Sequence, residues 1–352
     1  MALLSCYFTP LEAMRALQLT DGFGLDHLQV VDLPDPEPGP GEVLVRMRAA
    51  SLNYRDLLMV RGDYSRSAAT LPITPLSDGC GVVEKVGARV TRVRPGERVS
   101  TLFFQNWIAG RATPASQASA LGQPIPGCAR ELAVFSENGV SRPAEQLTDQ
   151  QVATLPCAGL TAWRALFVDA RLAPGDTVVL QGTGGVSIFG LQFAKAAGYR
   201  TLITSSSDEK LARAKALGAD HVHNYRSDPD WAKAVRAATG GAGADFVMEV
   251  GGAKTLQESL KSVRIGGHIA VIGVLSGGVE VLQLGWMIAT SAKVQGVSVG
   301  SREMFEAMNR AIALHGISPV VDKVFAWTDA RAAFEAMQAG DHFGKIVLDF
   351  TT

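Results

Sequence analysis

A chain of 352 residues exceeds the roughly 250–300 residues at which a single hydrophobic core stops growing, so two domains are expected. Apolar residues make up 47% of it and the formal charge is -1, which suits a soluble globular protein with no general attraction for nucleic acid or anionic membrane. The cysteines Cys6, Cys80, Cys128 and Cys157 are isolated. That spacing argues against a disulfide scaffold or zinc ribbon and fits a reducing, cytoplasmic compartment.

Residues 1–13 contain a short apolar piece without a basic leader region and read as an N-terminal extension. Strand-like sequence begins at Met14. Residues 14–142 are β-rich, with apolar runs punctuated by Gly and Pro, and residues 102–128 form a Gly/Pro/Ser/Ala-rich loop. From about residue 148 the rhythm changes. A helical stretch follows a Thr or Asp cap, and strands then alternate with helices: DTVVLQG, a helix from Val186 to Ala197, TLITSSS, DEKLARAKALG, HVHNY, a helix near Trp231–Thr239, DFVMEV, TLQESLKSV and GHIAVIGV. This alternation predicts an α/β fold with a parallel sheet covered by helices on both faces. A helix at MFEAMNRAIALHG and a strand at FGKIVLDF end the chain. No run reaches the roughly 18 apolar residues of a membrane helix.

The first βα turn reads Gly182-Thr183-Gly184-Gly185-Val186-Ser187. Gly182 permits the tight turn, and Gly184 and Gly185 let the backbone approach a pyrophosphate at the N-terminus of the next helix. Ser187 stands where such turns usually carry a further glycine. A preceding strand, a following helix and further βα units make a dinucleotide site the expected reading. The second strand ends in Thr204, Ser205, Ser206 and Ser207, without the carboxylate that normally accepts the adenosine ribose hydroxyls of NAD. Hydroxyls there, with Lys210, suit a 2′-phosphate, and Tyr225 and Arg226 can close the same pocket. NADP(H) is therefore the expected cofactor. Asp208 lies one step late and keeps NAD open.

The motifs SLNYRDLLMVRGDY, PLSDGCGVVEKVG, GERV, LPCAGLTAWRAL, QGTGGVS, ALGADHVHNYR and GKIVL together resemble the medium-chain dehydrogenases/reductases, in the zinc-independent branch that includes quinone oxidoreductases and ζ-crystallin. The resemblance runs from Met14 to the C-terminus. It implies a Rossmann domain at 143–304, a barrel-like catalytic domain built from 14–142 and 305–352, a cleft between them and a homodimer. The sequence KVQGVSVGS is a candidate exposed edge strand for such pairing.

Laid over the zinc enzymes of that superfamily, the first zinc-binding Cys becomes Asn53, the Gly-His-Glu motif becomes Leu76-Ser77-Asp78, and only Cys157 remains. Catalytic zinc needs about three protein ligands, so no metal is expected. The resemblance places Asn53 beside the nicotinamide and Thr161 on the cofactor. It sets Lys345 near the pyrophosphate, and Gly251, Gly273 and Val274 along the nicotinamide path. Asn53 also suits a turn residue, and Asp56, a further candidate catalytic residue, equally suits the cap of a helix at DLLMVRG. Tyr54 and Tyr64 are candidate proton donors, since Leu58 stands where quinone oxidoreductases often carry a tyrosine. Without a Lewis acid, hydride delivery to an activated C=C is easier than alcohol oxidation, because charge spreads over an enolate. The expected substrate is a small α,β-unsaturated carbonyl compound or a quinone. A zinc-free alcohol dehydrogenase or ketoreductase, and a non-catalytic NADPH-binding protein, are the alternatives.

Overall fold

The computed structural model describes residues 13–64, 70–279 and 281–352. The expected extension lies outside them, save for Ala13, which opens the first strand. Strand β1 (Ala13–Leu19) pairs antiparallel with β2 (Leu28–Pro34). Strands β3 (Glu42–Ser51), β4 (Asp78–Val86), β5 (Arg98–Thr101), β6 (Leu132–Ser136) and β7 (Val140–Ser141) follow. In β3, Val43, Val45 and Met47 enter the main β-rich core, while Leu44 packs separately with Met14 and Leu132. Register shifts interrupt the β3–β4 ladder between Leu44 and Val45 and between Met47 and Ala49, which bends the sheet.

The second unit is built on β8 (Thr177–Gln181), β9 (Arg200–Ser205), β10 (His221–Asn224), β11 (Ala244–Glu249), β12 (Val263–Val271) and β13 (Lys293–Gly296). These make a six-stranded sheet in the order β10-β9-β8-β11-β12-β13, and each described pairing in it is parallel. The order reverses direction at β8, so the crevice beyond its C-terminal end is the topological switch point where such sheets bind ligands. Every residue of β8 is buried. Val178 and Leu180 enter one core cluster and Val179 another, which explains why this strand reads as an unbroken apolar run. The helix Gly185–Ala196 lies against the sheet at Gly190, where an added Cβ would come within 3.0 Å of Leu180 and Met248.

The chain then returns to the first sheet. Strand β14 (Val321–Ala326) pairs parallel with β15 (Lys345–Asp349), which pairs antiparallel with β3. The β-rich sheet is thus assembled from both ends of the chain, as the resemblance implied. Opposition of Val347 to Ser51 sets Lys345 beside the residues that leave β3. The helix Arg302–His315 buries Phe305, Met308 and Ile312 in a cluster that also holds Val178, Leu180, Phe343 and Val347, so one core runs across both sheets. Phe305→Ala is expected to lower unfolding stability by about 3–5 kcal/mol in urea denaturation. A change under about 1 kcal/mol would show that this face is not packed.

Candidate active site

The glycine turn is held from below and from the side. Gly182 has φ +70°, and an added Cβ there or at Gly184 meets nothing within 4 Å, so two Cβ-less positions open onto free space. The Ser187 hydroxyl donates to the Gln181 carbonyl at 2.6 Å and is buried. Ser187 therefore braces the turn, while the close helix–sheet approach that a later glycine provides is made at Gly190. From the β-rich domain, the Gly344 N–H donates to the Thr183 carbonyl at 2.9 Å, and Gly184 and Gly344 form a parallel bridge.

Beside this turn lies a buried ionic cluster. The Lys345 ammonium donates to the Leu52 carbonyl at 2.6 Å and to Asn53 Oδ1 at 2.5 Å, and it stands 3.7 Å from Asp78 Oδ2. Its stem passes under the helix start, since a Cβ on Gly185 would fall 2.5 Å from Lys345 Cδ. Asp78 accepts from the Ser51 and Ser77 hydroxyls. Burial pushes its carboxyl up, opposed first by the Lys345 ammonium. Asn53 caps the helix Tyr54–Arg61, and its backbone N–H donates to Asp56 Oδ2 at 2.8 Å. The helix thus begins before Asp56, which sits at its third residue and closes the capping box with Asn53 instead of standing at the N-cap expected for DLLMVRG. Its other oxygen is buried without a partner, and burial raises its pKa to about 6.

A second buried network, which the sequence reading missed, fixes the loop after β11. Glu249 accepts from the backbone N–H groups of Gly251 and Gly252, from the Thr255 and Ser259 hydroxyls and from Gln181 Nε2. Gln181 Oε1 in turn accepts from the N–H groups of Val250 and Gly251. The available signal was a polar residue closing each of two adjacent apolar strands, in VVLQ and VMEV. A Cβ on Gly273 would meet the Val250 carbonyl oxygen at 2.4 Å, so that glycine is required by the approach of two strand ends. Val274 follows, half exposed.

At the far end of the turn, the Ser205 hydroxyl is buried and accepts from Ser207 N–H, while Ser207 caps the helix Asp208–Ala216. Ser206 is half-buried and Tyr225 exposed. Asp208 accepts from Asn224 Nδ2 at 2.7 Å, which occupies the nearest carboxylate. Lys210 is anchored across the domain join, donating to the Gly340 carbonyl at 2.6 Å. Burial lowers its pKa. Thr161 is buried and Val186 half-buried near the turn. Tyr54 packs on the β-rich core, whereas Tyr64 is exposed and lies against the Arg55 guanidinium, 4.9 Å away.

Two family models match the chain: an alcohol dehydrogenase GroES-like domain over residues 39–144 and a zinc-binding dehydrogenase domain over residues 185–313. A zinc-type alcohol dehydrogenase-like protein of Schizosaccharomyces pombe is 42% identical over 343 residues, covering 96% of this chain and 99% of that protein. The chain belongs to the medium-chain dehydrogenase/reductase superfamily. Among solved structures, a candidate alcohol dehydrogenase of Sinorhizobium meliloti 1021 superposes with TM-score 0.89 at 41% identity, over 96% of this chain and 99% of that one. An NAD-dependent alcohol dehydrogenase superposes with TM-score 0.87 at 33% identity, over 96% and 99%.

Medium-chain dehydrogenases/reductases bind a nicotinamide cofactor, and the residues here fit one. The turn offers Cβ-less backbone and a helix N-terminus to a pyrophosphate, and the Gln181–Glu249 network orders the loop beyond it. Zinc fits less well. Of the three positions that hold it in metal-dependent members, Asn53 has its oxygen committed to an ammonium and Ser77 offers a hydroxyl already bonded to Asp78. At the third, burial pushes the Cys157 thiol well up, away from the thiolate that binds metal. No group of three or more His, Cys, Asp or Glu able to hold a metal occurs among the described residues.

Because the folded pKa of Asp56 lies above its ordinary 3.8, at about 6, this carboxyl opposes folding at neutral pH. Its unfavourable contribution develops between pH 3.8 and about 6 and is relieved as pH falls through that window. Asp56→Asn is therefore expected to remove that part of the pH dependence of unfolding free energy. An unchanged profile between pH 4 and 6.5 would contradict the assignment.

Proposed function

We propose that the protein is an NADP(H)-dependent oxidoreductase that reduces the conjugated C=C of a small α,β-unsaturated carbonyl compound, or a quinone, without a catalytic metal. One observation carries the reading: Asn53, at the first of the three zinc positions, joins Lys345 and Asp78 in a buried ammonium–amide–carboxyl cluster, which would form the floor of the proposed cleft. Such a floor meets developing negative charge with hydrogen bonds, which suits a delocalised enolate better than a localised alkoxide. A bound reduced nicotinamide supplies the hydride.

The chain's own residues set the rest. Gly182, Thr183, Gly184 and Gly185 seat the pyrophosphate, and Gly251, Gly273 and Val274 line the nicotinamide path. Thr161 contacts the cofactor. Lys345 fixes the Asn53 side chain, which orients the ring or the substrate. Tyr64, exposed where Tyr54 is half-buried, is the more accessible of the two candidate proton donors, and water is the other source of that proton. Ser205, Ser206, Ser207, Lys210 and Tyr225 frame the 2′-phosphate. The reading for NADP(H) rests on the absence of a free carboxylate at the end of β9, since Asp208 is held by Asn224.

An oxidation assay of NADPH and NADH against enones, quinones, acyl-thioesters and ketones tests both halves. Enone or quinone turnover with NADPH preferred is expected, and turnover confined to simple alcohols with NAD⁺ would overturn the proposal. Ser206→Asp is expected to move the preference toward NADH by about tenfold or more, by setting a charge against the 2′-phosphate. The partners are the small-molecule substrate and a second copy of the chain. Strand β13 ends the parallel sheet, and Leu284 and Ile288 lie exposed beside it, an apolar edge that self-pairing would cover. A sedimentation mass of twice the 37.2 kDa chain is expected, and Ile288→Asp should lower it.

A further inference from the structure

One charged group near the cleft floor is explained neither by cofactor binding nor by the Lys345 cluster. Arg55 lies on the first turn of the helix capped by Asn53. Its guanidinium sits between two rings, 4.6 Å from the centre of Phe103 and 4.9 Å from that of Tyr64. Its hydrogen bonds go to neutral atoms: Nη1 to the Leu121 carbonyl at 2.8 Å, Nη2 to the Gln123 carbonyl at 3.3 Å, with Met59 Sδ at 3.8 Å. Nε is buried and without a partner. Among the described residues no carboxylate forms a salt bridge with it. Arg55 stands two residues after Asn53, whose side chain meets the Lys345 ammonium.

A guanidinium carries five N–H donors, and these contacts leave Nε–H and one Nη1–H unspent. Two facing rings and two loop carbonyls hold the group in place at no cost to its charge. Such a group is a ready receptor for an oxygen anion, and through Leu121 and Gln123 it also holds the segment 102–128.

We propose that Arg55 is the group that receives the carbonyl oxygen of the substrate and stabilises it as an oxyanion, a role that rests on the enone or quinone reading above. Hydride from the reduced nicotinamide adds at the β-carbon, and the C=C electron pair moves to join the α-carbon to the carbonyl carbon. The carbonyl pair then moves onto oxygen, where the guanidinium meets it. Proton transfer from Tyr64 or water to the α-carbon restores the carbonyl, leaving the saturated product and the oxidised cofactor. The charge develops as the hydride moves, so Arg55 contributes chiefly to kcat.

The test uses the NADP⁺-loaded enzyme with 4-nitrophenol, whose coloured phenolate stands in for the enolate oxygen. Wild type should favour the phenolate by about tenfold, a fall of about one unit in the apparent pKa of the bound phenol. Arg55→Lys should keep part of that shift and Arg55→Gln none. On an enone, Arg55→Gln should lower kcat by about 100-fold with KM changed less than about threefold, while NADPH quenching of tryptophan fluorescence persists and reports a folded protein. If Arg55→Gln retains the shift, or wild type shows none, the proposal is overturned. Should Arg55→Gln fail to fold, a partial shift in Arg55→Lys supports the proposal and an undiminished one overturns it. A shift lost in Arg55→Gln, in an enzyme that turns over no enone or quinone, keeps the anion site and rejects the substrate reading.

Discussion

A buried ammonium is costly unless oxygen atoms surround it, and the arrangement of this protein follows from how Lys345 meets that cost. It is nearly inaccessible, yet Leu52, Asn53 and Asp78 each present an oxygen to it. Those three come from the end of β3, the helix cap that follows it and the start of β4. The lysine itself enters from β15, at the other end of the chain. Its neighbour Gly344 is bonded to the glycine turn, so the same two residues join the dinucleotide crevice to the floor of the cleft. Removing one member of such a buried set typically costs about 3–5 kcal/mol, enough to keep the two domains in a fixed relation there.

Much of the fold was legible because its signals are local. The unbroken apolar run of β8, the glycine turn and the regular alternation of strand and helix each follow from the backbone needs of a parallel sheet; β8 and the helix after it end within a residue of expectation, whereas β12 starts four residues before GHIAVIGV. β13 as an edge strand was legible for the same reason. The site was less so. Lys345 was placed at the pyrophosphate on resemblance, whereas its ammonium turns inward to Asn53, a pairing that depends on β15 lying antiparallel to β3 across almost three hundred residues of chain. Lys210 was expected to supply positive charge, and it keeps that charge while its ammonium is anchored to the Gly340 carbonyl, a contact with no local signal. Gln181 and Arg55 lie inside quoted motifs that assigned them no role, and Glu249 lies in none of them. Their roles come from strands and loops that meet only in three dimensions.

In the proposed cleft, charge would be arranged before a substrate arrives. Lys345 is matched to Asn53 and Asp78, Asp56 is held with one oxygen unpaired, and Arg55 is held by rings and carbonyls. A preorganised set of this kind needs little reorganisation when a carbonyl oxygen becomes negative, which links the packing of the two sheets to the chemistry proposed for the crevice between them.

The location of the transferred hydride tests the central claim most directly. Turnover of a β-substituted enone with NADPH deuterated at the reactive C4 position, followed by NMR of the product, shows which carbon took it. Deuterium on the β-carbon of a saturated ketone is the predicted result. Deuterium on the carbonyl carbon of an allylic alcohol would contradict the account.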